Sequence, residues 1–269
     1  MAKKKISHTA SAEDTARTIA NGLDFGAAEA YKLLRTNLAF SLPDFGKSKI
    51  IGLTSALRGE AKSTTSINLS YTLAQTGKRV LLIEGDMRLP VLARRMGLRP
   101  TPGLSNLLAG QNSSSEVLQS SGILSNWKVI TAGAAPPNPA ELLDSNQMEV
   151  TLRIMKDYFD YIIVDLPPVM AVSDALTISK FLDGVIVVVR QNYCDKKALD
   201  ETVRLLRFAQ SKILGFVMSN GSRQQKSGRH YAREYAGYEA APPRRQPKPP
   251  APQPEPQELE PKEAEQSNG

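Results

Sequence analysis

Ile50-Ile51-Gly52-Leu53-Thr54-Ser55 runs into Ala56-Leu57-Arg58-Gly59-Glu60-Ala61-Lys62-Ser63-Thr64, and Thr65-Ser66-Ile67-Asn68 follows. An apolar run, a small-residue turn and a Lys-Ser-Thr helix start form the layout of a phosphate-binding loop. Backbone N–H groups in such a loop converge on a polyphosphate, and the helix N-terminus adds unpaired N–H groups and the positive end of its dipole. In this layout the amides of Gly59, Glu60, Ala61, Lys62, Ser63 and Thr64 hold phosphate. Lys62 reaches the β- and γ-phosphates, and the Ser63 hydroxyl holds Mg²⁺. Alanines stand at Ala56 and Ala61, where the G-x-x-x-x-G-K-[ST] pattern has glycines. A residue before the lysine that needs a left-handed backbone costs on the order of 1 kcal/mol more as Ala than as Gly.

Two further apolar runs end in carboxylates. Arg79-Val80-Leu81-Leu82-Ile83 leads to Glu84-Gly85-Asp86-Met87-Arg88, and Tyr161-Ile162-Ile163-Val164 leads to Asp165-Leu166-Pro167-Pro168. Short continuous apolar runs are typical of strands buried on both faces, and open α/β sheets build their sites at the carboxyl ends of such strands. Asp165 therefore lies beside the loop as a second Mg²⁺ ligand, with Asp86 close by. An Asp-initiated turn after a strand is common by itself; its pairing with Lys62 and Ser63 gives it meaning. Trp127-Lys128-Val129-Ile130-Thr131, Gly184-Val185-Ile186-Val187-Val188-Val189 and Ile213-Leu214-Gly215-Phe216-Val217-Met218 supply further strands. Helical stretches alternate with them, which predicts an α/β fold of the P-loop NTPase type. The sheet is mostly parallel with right-handed crossovers, and helices cover both faces.

Upstream, the alanine-, leucine- and charge-rich stretch from Ala27 to Arg35 is helical by propensity. Glu29, Lys32 and Arg35 are three apart and share one side of it. Residues 111–125 are rich in Ser and Asn and read as an exposed loop. Asn138 stands where it would cap a helix opening at Pro139. After Gly221 the composition shifts. Tyr231, Tyr235 and Tyr238 gather three of the eight tyrosines in a polar stretch, and residues 242–261 carry half of the 18 prolines. Such a tail buries no core and is expected to be disordered. The chain thus divides into a flexible arm (1–25), a P-loop domain (26–221), a tyrosine cluster (222–241) and a Pro-rich acidic tail (242–269).

The whole composition sets limits. Of 269 residues 41% are hydrophobic, enough for an ordinary core, and the net charge of +7 is spread without a basic stripe interleaved with aromatics, so no nucleic-acid partner is expected. The single cysteine, Cys194, excludes an internal disulfide. No signal peptide and no apolar run near the roughly 18 residues of a bilayer span is evident. A cytoplasmic protein, recruited to the membrane only by a partner, is the expectation.

Together these segments resemble the bacterial tyrosine autokinases of capsule and exopolysaccharide synthesis, in their Gram-positive cytoplasmic form, over about residues 24–240. The carriers are the loop, the Val80-to-Arg88 motif, the Asp-x-Pro-Pro strand and the tyrosine cluster. The resemblance implies ATP and Mg²⁺ as cofactors, and autophosphorylation in trans at Tyr231, Tyr235 and Tyr238. Lys62, Glu84, Asp86 and Asp165 are then catalytic, with Ser63, Asp86 and Asp165 at the metal and Asn220 at adenine. Glu84 stands where the family usually has the first aspartate of an Asp-x-Asp pair. Glu29, Lys32 and Arg35 match a ring-assembly motif with Lys in place of its first Arg. A membrane-anchored activator, akin to a polysaccharide chain-length determinant, is the implied partner. Two other readings stay open: a ParA- or MinD-like ATPase switch, which lacks support from Leu57 because those proteins carry a lysine there, and a catalytically weak regulatory scaffold.

Overall fold

A computed structural model describes residues 23–43 and 48–219. Asn220, the tyrosine cluster and the Pro-rich tail lie outside the described residues, as does most of the N-terminal arm.

Among the described residues seven strands form one sheet: β1 (Lys49–Ser55), β2 (Val80–Glu84), β3 (Gln119–Ser120), β4 (Trp127–Ile130), β5 (Tyr161–Asp165), β6 (Gly184–Arg190) and β7 (Ile213–Ser219). Their order is β3-β4-β2-β5-β1-β6-β7. Every pair is parallel except β3 with β4. The carboxyl ends of β2, β5 and β1 stand side by side, with Glu84 opposite Asp165 and Asp165 opposite Leu53.

Strand alternation divides the core in two. Leu81, Ile83, Ile162, Val164, Val185 and Val187 face one layer; Val80, Leu82, Ile51, Leu53, Ile163 and Val188 face the other. The first layer is covered by α4 (Leu104–Leu108), α5 (Ser114–Val117), α6 (Pro139–Asp144), α7 (Asn146–Tyr158), α8 (Asp174–Ile178) and α9 (Lys196–Phe208). The second is covered by α1 (Phe25–Ser41), α2 (Lys62–Ala74) and α3 (Leu92–Met96).

Helix α2 is buried along nearly its whole length despite its Ser and Thr content. Its polar side chains turn back on the helix. Thr65, Ser66, Ser70 and Thr72 donate their hydroxyls, and Asn68 its amide, to carbonyls four residues earlier. A buried hydroxyl satisfied in this way avoids the desolvation cost of an orphaned one. Helix α1 lies across α2. Arg35 Nη1 donates to the Thr72 carbonyl at 3.0 Å, near the C-terminal end of α2, where a cation also meets the negative end of the helix dipole. Tyr31 is hydrogen-bonded to Thr65 and Asn68, in the first half of the same helix, and its burial raises its pKa.

Three local expectations change. Residues 111–125 are not simply an exposed loop: α5 and β3 lie within them, and Val117, Gln119 and Ser121 are buried. Gln119 is satisfied there by pairing with Arg99, whose N–H it accepts at 2.9 Å and whose carbonyl receives its amide at 2.9 Å. Asn138 precedes α6 but makes no cap; its amide donates to Glu141 instead. Two caps that do form are Ser145, whose hydroxyl accepts from Met148 N–H at 3.2 Å before α7, and Asp195, whose carboxylate accepts from Ala198 N–H at 2.7 Å before α9.

Candidate phosphate-loop site

The loop between β1 and α2 is braced from several sides. Glu60 is fully buried. Its carboxylate accepts from Leu57 N–H at 2.7 Å within the loop and from Arg190 N–H at 3.2 Å at the end of β6. The Ser219 hydroxyl, at the end of β7, donates to the Glu60 carbonyl at 2.9 Å. Tyr193 Oη donates to the Arg58 carbonyl at 2.9 Å, and Arg190 Nη1 to the Gly59 carbonyl at 3.3 Å. The Arg190 guanidinium also lies over the Tyr193 ring, 5.2 Å from its centre. These contacts occupy carbonyls and the Glu60 side chain.

Ala61 has φ +67°, a left-handed backbone in the position just before the lysine. The strain expected of an alanine there is present. Thr65 N–H donates to the Ala61 carbonyl at 2.9 Å, which opens α2.

Lys62 meets the carboxylates at the ends of β2 and β5. Its Nζ is 2.9 Å from Asp86 Oδ2 and 3.7 Å from Asp165 Oδ2, and it donates to the Ser63 hydroxyl at 3.4 Å. Burial works against the ammonium, but the negative charges of Asp165 and Asp86 outweigh it, so the Lys62 pKa is raised. Asp165 is fully buried, and loss of solvent pushes its pKa up, partly offset by Lys62. Asp165 Oδ1 accepts from the Ser66 hydroxyl at 3.1 Å; Oδ2 is buried with no hydrogen-bond partner. A buried carboxylate oxygen that lacks a hydrogen bond, with only the Lys62 ammonium 3.7 Å away and with Ser63 and Asp86 beside it, fits a hard divalent cation with oxygen ligands. Gly85 lets the β2 end lie against β5. Its N–H donates to the Asp165 carbonyl at 2.8 Å, and a Cβ there would stand 3.1 Å from the same oxygen.

Glu84 does not join this group. Its Oε1 accepts from the N–H groups of Val91 and, at 2.6 Å, Leu92; its Oε2 accepts from Ala132 N–H at 3.1 Å. Burial raises its pKa to about 7, against the pull of those hydrogen bonds. The longer side chain has carried the carboxylate past the loop into the amides at the start of α3 and after β4. Glu84 thus clamps these amides, and Asp86 and Asp165 are the carboxylates that face Lys62.

Sequence reasoning missed several neighbours. Arg88 Nε and Nη2 grip the buried Asp174 carboxylate at 2.9 and 3.0 Å, tying the segment after Asp86 to α8. Arg95 Nη1 donates to the Thr64 hydroxyl at 2.6 Å. Arg190 and Tyr193 brace a loop about 130 residues earlier. Only the Arg that ends the Val80-to-Arg88 motif carried a signal. Of the three assembly candidates, Glu29 and Lys32 pair with each other at 2.7 Å on the exposed side of α1, while Arg35 turns to α2.

A strand–loop–helix with Lys62 facing two carboxylates, one at the end of a parallel strand and one just past its neighbour, defines the P-loop class of α/β proteins. The AAA domain family matches residues 48–214. The tyrosine-protein kinase YwqD of Bacillus subtilis is 37% identical over 199 residues, which cover 74% of this chain and 83% of that protein. The kinase domain of the Escherichia coli tyrosine kinase ETK superposes with a TM-score of 0.70 at 31% identity, over 78% of this chain and 82% of that one. The chimerical protein CapA2B2 does so with 0.67 at 32%, over 71% and 83%. The chain belongs to the bacterial tyrosine-protein kinases.

Proposed function

We propose that the protein transfers the γ-phosphoryl group of ATP to tyrosine hydroxyls, foremost Tyr231, Tyr235 and Tyr238 of a neighbouring copy, and thereby regulates capsule or exopolysaccharide polymerisation and export. The observation that carries this reading is the meeting of Lys62 with Asp86 and Asp165 at the carboxyl ends of adjacent strands.

The amides of residues 59–64 bind the phosphates, and Lys62 exchanges its carboxylate partners for the β- and γ-phosphate oxygens. Ser63, Asp86 and Asp165 hold Mg²⁺. The ion neutralises charge on the phosphates when bound. The incoming tyrosine oxygen bonds to the γ-phosphorus as the bond to the β–γ bridging oxygen breaks, and ADP leaves. A tyrosine hydroxyl has a pKa near 10, so its proton needs an acceptor; Asp86, the more accessible of the two site carboxylates, takes it. Asn220 follows the last residue of β7 and contacts adenine.

Among the described residues no helix is long and apolar enough to cross a membrane. Recruitment to the inner face of the membrane is assigned to a membrane-anchored activator, and self-association, as a ring, to the outer side of α1. The similarity to a chimerical protein fits a kinase that works with a second component.

Phosphotyrosine mass spectrometry on purified protein tests the reading. Lys62→Met is expected to lower autophosphorylation by about 100-fold or more. Replacing Tyr231, Tyr235 and Tyr238 by Phe is expected to remove most label while ATP binding persists. Undiminished label in Lys62→Met, or label retained mainly at Tyr31, Tyr158 or Tyr193 in the triple variant, refutes it.

A further inference from the structure

Charges around the phosphate loop are unbalanced. One ammonium, Lys62, faces the carboxylates of Asp86 and Asp165. A polyphosphate approaching that group meets net negative charge, and its repulsion is strong where solvent is excluded. Besides Arg190, whose guanidinium holds the Gly59 carbonyl, a further cation stands beside the loop. Arg95 projects from α3, is half-buried, and takes part in none of the ion pairs formed among the described residues. Burial lowers its pKa from the usual value, the charge of Asp165 opposes this, and neighbouring Arg94 adds to it. A guanidinium stays charged through such a shift. Its hydrogen bond to the Thr64 hydroxyl, at 2.6 Å, engages one of five N–H donors and orients the fork at the start of α2.

Position decides which phosphate it can serve. Lys62 and its two carboxylates mark the end of the site that handles the γ-phosphate. Loop amides running into the helix address the α- and β-phosphates, and Thr64 is the last residue of that run. We propose that Arg95 is a phosphate-binding residue that engages the part of the polyphosphate common to ATP and ADP, aimed there by the Thr64 hydroxyl. This rests on the nucleotide-binding reading above. A fork of parallel N–H donors suits two oxygens of one phosphate better than the point charge of a lysine does. The same contact also supplies attraction that a loop strained at Ala61 otherwise lacks.

Binding of fluorescent ATP and ADP analogues to the full-length protein with Mg²⁺ tests this. Arg95→Gln is expected to weaken both nucleotides by the same factor, on the order of tenfold. Arg95→Lys is expected to fall between that variant and the wild type, with the melting temperature of its nucleotide-free form unchanged. A residue that only ties α3 to α2 would move the melting temperature and leave both affinities alone; that result overturns the proposal. Weakening confined to ATP also overturns it, since the contact would then be to the γ-phosphate. If Arg95→Gln does not fold, Arg95→Lys decides: wild-type affinity for ADP counts against the assignment, and a loss of about threefold in both nucleotides supports it. Failure of the wild type to bind either nucleotide would sink the site as a whole, whereas normal wild-type binding that ignores Arg95 sinks this inference alone.

Discussion

Ala61 holds a left-handed backbone, φ +67°, at the entrance to α2. That conformation costs a side chain with a Cβ roughly 1 kcal/mol or more, and costs Gly little. Ala61→Gly is therefore expected to raise stability by up to about 1 kcal/mol and to tighten nucleotide binding severalfold. Thermal unfolding and fluorescent-nucleotide titration check both, and a weaker, less stable variant would show that the loop relies on the alanine methyl. Glu84 has the opposite character: its conformation is ordinary but its charge is costly. A carboxyl whose folded pKa is about 7 binds its proton more tightly folded than unfolded, where the pKa is near the ordinary 4.3. Its contribution is complete below that ordinary value and is lost as pH rises through about 7. Stability of the wild type relative to Glu84→Gln is thus expected to fall between about pH 4 and 7. A difference that stays flat or grows across that range contradicts the burial of an ionisable Glu84.

Among the elements, the strands other than β3 are legible because each is a short apolar run ended by polar residues. The P-loop helix is legible from Lys62-Ser63-Thr64. What the sequence conceals is contact between distant segments. The Glu84 carboxylate meets N–H groups 7, 8 and 48 residues away, and nothing local marks Val91 or Ala132 as donors. Arg190 and Tyr193 reach the loop from the far end of β6, unannounced for the same reason. Residues 111–125 look solvated because a two-residue strand and one turn of helix are too short to show a period. Arg35 is legible as one member of a charged helix face, but its partner is a backbone carbonyl, which no residue pattern reveals. Arg35→Ala removes a charge-assisted hydrogen bond and the packing of its stem. A loss of about 1–2 kcal/mol in stability is expected by chemical denaturation, with earlier hydrogen exchange in α1. Stability equal to the wild type would mean α1 is held by Tyr31, Leu38 and Leu42 alone.

At the scale of the molecule, one exposed surface of α1 remains for a neighbour, the side bearing the Glu29–Lys32 pair. Exposed ion pairs contribute little within a chain, so exchanging partners across an interface costs little. Reversing both charges, Glu29→Lys with Lys32→Glu, keeps the internal pair and inverts the pattern offered outward. Light scattering is expected to show smaller particles for either single reversal than for the wild type, and autophosphorylation that depends more steeply on protein concentration. Particle size unchanged in both single variants removes α1 from the assembly.

The end of β7 carries a mechanical consequence. β7 is an edge strand, and its final residue, Ser219, is hooked by its hydroxyl to the Glu60 carbonyl inside the phosphate loop. Traction applied at residue 219 is therefore shared between that hook and the sheet, where the Ser219 carbonyl accepts from Gln191 N–H at 3.1 Å. Glu60 in turn holds Leu57 and Arg190, so part of the load passes into the loop. A pull on the last residue of β7 would thereby act as a lever on the phosphate cradle itself.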